Sequence, residues 1–240
     1  MIDFGSITSM TIPEGVVTQV AINGSTIWTL PISVSIKDIP VGSYIKYTAN
    51  NYSSWRVMYN NNGQLDIVSA ESVDNVTLSG NSGYCNAVQT LNNKASEYVA
   101  GFATKGRSIG CTSSSQATIT VGDTQASLNY DPYTDTHYTT DFNQLVNNGL
   151  VQSSGDVWLA SRVDLDRTEV LGQLYSSFGC VRTISSTGKL SQRSLQKYTK
   201  VGWTNDQSQT CGFRPVISLP SGLTVTGGKG TESNPYVLTN

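Results

Sequence analysis

The chain has 240 residues, of which only 13% are charged, and a formal net charge of −2, while Tyr (12) and Trp (4) stay plentiful. A single core at this length buries roughly 70–75% of the unfolded surface, so the fold need not depend on disulfides. Near-neutral charge offers no field to nucleic acid or anionic lipid, and no apolar run reaches the ~20 residues that span a bilayer, so both kinds of partner are set aside.

Residues 1–30 read as a small β unit. "GVVTQVAI" is strand-like, Asn23-Gly24 supplies the positive φ angles of a tight hairpin turn, "STIWTL" returns, and Pro31 ends the run. The opening "MIDFGSITSM" lacks the basic and apolar regions of a signal peptide, which predicts folding in a cytosol. "VGSYIKYT", "WRVMYN" and "QLDIVSA" alternate apolar and polar residues as a meander, with a hairpin turn at Asn60–Gly63. A helix is predicted from Tyr84 to Ala103, because Val88, Leu91, Ala95, Tyr98, Val99 and Phe102 share one face. A second is predicted over Asp141–Asn148, capped by Thr139, Thr140 or Asp141 and stopped by Gly149.

From Val157 the pattern returns to strands: "DVWLASR", a hairpin of "FGCVRTI" and "KLSQRSL" around Ser185–Gly188, and a near-continuous "GFRPVISL". In that last run Phe213, Val216, Ile217 and Leu219 are expected in the core. Pro215 belongs at a strand start, an edge or a bulge, and Arg214 is expected to pin a carboxylate or a set of carbonyls. The tail pairs a short strand with a turn-rich close. Strands, two helices and strands again, with no internal repeat, give an α+β class with segregated elements.

Catalytic chemistry finds little support. A nucleophilic triad needs an imidazole base, and His137 is the one histidine. "GNSG" at Gly80–Gly83 reads as a turn, and "GGKGT" lacks the order of a phosphate-binding loop. Asp164, Asp166 and Glu169 could serve Ca²⁺ binding or glycoside hydrolysis, but a solvated loop neutralised by Arg162 and Arg167 is the favoured reading. Cys85, Cys111, Cys180 and Cys211 form no C-x-x-C pair, so buried thiols are expected; a Cys180–Cys211 disulfide is the alternative in an oxidising exterior. No catalytic residue, metal ligand or cofactor is assigned. What remains is a polar aromatic surface suited to recognition: Tyr175, Arg193, Gln196, Tyr198, Trp203, Asn205, Asp206 and Gln207. Of these, all but Gln196 are the candidate ligand contacts.

Two resemblances extend this reading. "TIPEGVVTQVAINGSTIWTL", with Ile12-Pro13-Glu14-Gly15 and Ile27-Trp28, resembles a hairpin module of structural proteins in phages and prophages of Gram-positive bacteria. The stretches from "VGSYIKY" to "GFRPVISL" and "GKGTESNPYVL" resemble a module of phage and Firmicutes surface proteins. The Gly-Phe-Arg ending is similar to the C-type-lectin-like fold of formylglycine-generating enzymes and phage tropism proteins. The cysteine pair of the former is missing, and Trp203-Thr204-Asn205-Asp206 follows no "E-P-N", so neither copper chemistry nor calcium-dependent sugar binding is carried over.

These resemblances imply a β-rich C-type-lectin-like body over residues 31–240, behind a docking module over 1–30 that meets other virion proteins through Ile12, Pro13, Val17, Ile27 and Trp28. The implied function is a non-enzymatic phage virion protein, assembled in the host cytoplasm as a homo-oligomer, a trimer before other orders. It would display a surface to a host glycan or protein. A decoration protein with no host ligand is the alternative, and an enzyme degrading envelope polysaccharide a remoter one.

Overall fold

A computed structural model describes residues 10–12, 15–17, 19–22, 25–29, 34–111, 135–170, 173–199, 202–204 and 207–240, with side chains for 34–80, 83–111, 135–165, 178–197 and 207–240. It is an α+β fold dominated by strands, as the element pattern predicts. Near the N-terminus β1 (Met10–Ile12) pairs with β2 (Gly15–Val17), and β3 (Gln19–Ile22) with β4 (Ser25–Thr29), as two separate two-stranded sheets. The expected strand "GVVTQVAI" contains β2 and β3, which pair in different hairpins.

The meander follows as β5 (Tyr44–Ala49), β6 (Tyr52–Asn61) and β7 (Gln64–Ser69). Its turn falls where predicted, with Asn62 at φ 51° and Gly63 at φ 93°, the two positive angles a two-residue hairpin loop needs. The Asn60 side chain fastens this turn: its Oδ1 accepts the Gly63 N–H at 2.8 Å, and its Nδ2 donates to Ile39 O at 2.8 Å. Strand β8 (Asp74–Ser79) leads into α1 (Gly80–Cys85), so "GNSG" opens a short helix where a turn was expected.

Helix α2 covers Ala87–Ser96 only, and the predicted 84–103 helix is broken at both ends. At its start Asn86 leaves helical geometry (φ −104°, ψ 13°). At its end the bonds tighten to Tyr98 N–H→Ala95 O and Val99 N–H→Ser96 O. The Tyr47 hydroxyl, reaching over from β5, bonds both backbone groups of Ala100 and replaces the partners a continued helix would supply. Apolar periodicity survives this break because Tyr98 still packs in the core.

After β9 (Lys105–Ser108), α3 runs Tyr138–Asn147, three residues earlier than predicted. Its N-cap is His137, whose N–H donates to Asp135 Oδ1 at 2.9 Å. Asp141 does not cap. It is buried, and its carboxylate accepts from Arg107 Nη1 at 2.5 Å, Tyr59 Oη at 2.8 Å and Gly110 N at 2.8 Å.

Strands β10 (Asp156–Val170), β11 (Gln173–Ser185), β12 (Leu190–Thr199), β13 (Gly202–Thr204), β14 (Ser208–Phe213) and β15 (Pro215–Leu219) follow, then β16 (Thr224–Gly227) and β17 (Tyr236–Thr239). "VDLDRTE" is thus part of β10 rather than a solvated loop. "GWTNDQSQT", which holds four of the candidate contacts, includes β13 and the start of β14. One sheet has the order β13-β12-β11-β10-β14-β8, the other β16-β17-β5-β6-β7-β15-β9.

"GFRPVISL" links them. It is two strands, not one: Gly212 and Phe213 end β14 in the first sheet, and Pro215 starts β15 in the second. Pro215 stands at a strand start, as its missing N–H requires. Arg214, between them, is fully buried and donates to Ser69 O from Nε (2.8 Å) and Nη2 (2.5 Å), and to Leu150 O from Nη1 (2.9 Å). Burial pulls its guanidinium down to about 10, with the Glu71 charge acting the other way. The expected pinning of carbonyls is what this residue does.

The central strands of the second sheet are buried on both faces. Val57, Ile67 and Ile217 join the main core with α1, α2 and the first sheet, whereas Met58, Val68 and Val216, their strand neighbours, join a smaller core with Leu145 and Leu150. Alternation with period two divides these strands between the two cores. Phe213, Val216, Ile217 and Leu219 are all buried, as predicted.

Candidate functional site

A polar cleft of about 500 Å³ lies where β8, β10, β12 and β14 meet. Its origin is topological. β14 pairs with β8 over six positions but with β10 at one, Val157↔Gly212, so the sheet opens beside that pair. Gly212, also opposite Asn75, forms the seam. A Cβ here would overlap Ser72 Oγ and stand 3.2 Å from Asp156 O, so no larger residue fits without displacing the wall.

That wall is set by Gln152, which is 3% exposed. Its Oε1 accepts from Ser72 N (3.0 Å) and Ser72 Oγ (2.5 Å), and its Nε2 donates to Gly155 O (3.3 Å) and to Ser154 O. From β12, Arg193 reaches across to pair its Nη2 with Asp156 Oδ2. Burial raises the Cys211 thiol above its ordinary value, against the pull of Arg193, so it stays neutral near pH 7. Contact with Cys211 and the Asp156 charge raise Arg193, which stays cationic. With one cation facing one anion, the cleft carries no net charge.

A smaller hollow of about 270 Å³ lies between Leu165, Phe178, Cys180, Gln192, Ser194 and Gln207. Phe178 faces Leu165 across β10–β11 and Cys180 faces Ser194 across β11–β12, so cross-strand pairs build this hollow.

Of the predicted ligand contacts, only Arg193 and Gln207 have described side chains. Arg193 lines the cleft, and Gln207, exposed, borders the hollow. Tyr175, Tyr198 and Trp203 lie on β11, β12 and β13, with Tyr198 directly opposite Trp203. Asn205 and Asp206 lie outside the described residues, as does Pro13. Gln196, placed on the surface by its polarity, is buried. Among the docking residues, Ile12 and Val17 fall on β1 and β2, and Ile27 and Trp28 on β4, with Trp28 opposite Val20.

Cleft residues Ser72, Asn75, Gln152, Asp156, Thr210 and Cys211 escape a reading by sequence. They come from well-separated segments and meet only when β14 docks between β8 and β10. No local spacing signals them.

Other residues singled out for chemistry have structural partners. Asp164 accepts from the Tyr84 hydroxyl, and Arg162 donates to Cys85 O at 2.7 Å with its guanidinium 5.8 Å from the centre of the Tyr84 ring. The Asp166 and Glu169 side chains lie outside the described ones. His137 Nδ1 lies 2.8 Å from Asp135 Oδ1, closing the turn that begins α3. All four cysteine side chains are buried thiols, as expected.

No protein-family model, curated protein or solved structure matches this chain.

Proposed function

We propose that the chain is a non-enzymatic phage virion protein that displays a recognition surface for attachment to the host. Residues 1–30 dock on other virion proteins, residues 31–240 form a C-type-lectin-like body, and several copies act together, as a trimer before other orders. The observation that supports this reading is the β12–β13 hairpin, which sets Tyr198 opposite Trp203 at the end of the first sheet, one strand from β11 and its Tyr175. Aromatic residues on a paired hairpin offer contact area at low entropic cost. Multivalent display then turns weak single sites into stable attachment.

The first test is binding of the purified chain to host cells and to extracted wall glycans. Saturable binding that is lost in Trp203→Ala is expected. Absence of binding, with the protein arrayed regularly on purified particles, would make it a decoration protein and overturn the recognition part. A chain lacking residues 1–30 should keep a cooperatively folded body and fail to enter particles; incorporation of the truncated chain would end the docking part.

A further inference from the structure

We infer that the cleft around Gly212 is a calcium-independent site for a neutral sugar residue. The inference deepens the recognition reading, on which it rests for the source of the ligand. The lining residues decide the chemistry. No aliphatic or aromatic side chain is among them, so nothing there favours a lipid tail, an aromatic ring or the apolar side chains of a peptide. A phosphate or carboxylate would meet Arg193 already neutralised by Asp156, and a cation would meet Asp156 already neutralised by Arg193. Either would add net charge to a balanced cleft. A sugar hydroxyl both donates and accepts, and the lining offers both. The Asp156 carboxylate, the Asn75 amide oxygen and the hydroxyl oxygens of Ser72 and Thr210 accept, and the Arg193 guanidinium and Asn75 amide N–H groups donate. The Ser72 proton is held by Gln152 Oε1, and Thr210 Oγ1 lies 2.7 Å from Thr77 Oγ1.

Size and rigidity agree. About 500 Å³ lies within the roughly 300–1,000 Å³ of small-molecule clefts. Gln152 and the Arg193–Asp156 pair hold the wall in place before any ligand arrives, which reduces the ordering cost of binding. Without an aromatic platform, single-site affinity is weak, with Kd about 1 mM, and display of several copies compensates.

The experiment is amide NMR of the full chain titrated with glucose, galactose and N-acetylglucosamine, alongside glucuronate and glucosamine as charged analogues and a neutral glycyl-serine peptide. At least one neutral sugar should shift the Gly155 and Gly212 amides saturably, equally well with a calcium chelator present, and more tightly than its charged analogue. Asn75→Ala changes an exposed side chain, and the loss of one neutral hydrogen bond should weaken binding up to about tenfold. Thr210→Val, checked for an unchanged melting curve, should do likewise. Failure of every neutral sugar to move these amides would overturn the inference, as would tighter binding of a charged analogue or of the peptide. Cell binding separates this inference from the broader reading. Binding lost in Trp203→Ala, with a cleft that takes no sugar, would leave the recognition reading intact and end this one. A cleft that binds sugar in a chain that binds no cells would do the reverse.

Discussion

Asp141 shows how one side chain can be reassigned by tertiary structure. Its position suits a helix cap, yet the carboxylate is buried and joins Arg107 of β9, Tyr59 of β6 and the backbone of Gly110. Removing one member of a buried ion pair leaves the other charge without compensation, at about 3–5 kcal/mol. Asp141→Asn should therefore lower stability to urea by that order, while Tyr59→Phe, which deletes one hydrogen bond, should cost only about 1–3 kcal/mol. Equal small losses in both would mean that the pair is not the anchor described. Gly212 poses the opposite problem, because it matters by what it lacks. Gly212→Ala forces the β14 seam against Ser72 and should cost about 1–3 kcal/mol, an overpacking penalty that Ser72→Ala relieves in part. A double variant no more stable than Gly212→Ala alone would place the strain elsewhere.

At the scale of elements, the β5–β6–β7 meander rests on local chemistry. Gly63→Ala would hold a Cβ at φ 93° and 3.1 Å from Ile36 Cγ2, and should cost about 1–2 kcal/mol with the register of β6 and β7 retained. Chemical denaturation with amide NMR of Val57 and Ile67 checks both parts. This turn, the α3 stop and the buried face of "PVISL" could be read from the sequence because their causes are local: positive φ, a helix breaker, a run of apolar residues. The end of α2 could not, since Tyr47 caps Ala100 from 53 residues away. Nor could the break at Arg214, where the sequence reads as unbroken strand and only the carbonyls of Ser69 and Leu150 reveal the crossing. The candidate site was legible to the same limited degree. Arg193 was recognisable as a polar contact, but Asp156 and Gln152 have no neighbours in sequence that betray a cleft.

The molecule as a whole should respond to pH through its buried phenols. Burial raises Tyr59, Tyr84 and Tyr47 above the ordinary 10.0, and the Asp141 and Asp164 charges add to the shift at Tyr59 and Tyr84. Above pH 10 the unfolded chain then holds fewer protons than the folded one, so stability falls as pH rises. Phenolate absorbance of these residues should appear together with loss of the fold; ionisation in a chain still folded would contradict their burial. The strand that crosses between sheets also governs how the chain can be made. β15 lies inside its sheet between β7 and β9, and β17 lies beside β5, so early strands wait for partners made much later along the chain. A chain halted before Ser208 would keep β7, β8 and β9 as unpaired edges, the kind of surface that seeds aggregation. Emergence of β14 and β15, one after the other around Arg214, is thus the event that joins β8 to the first sheet and β9 to the second, and a product cut short of them carries those edges exposed.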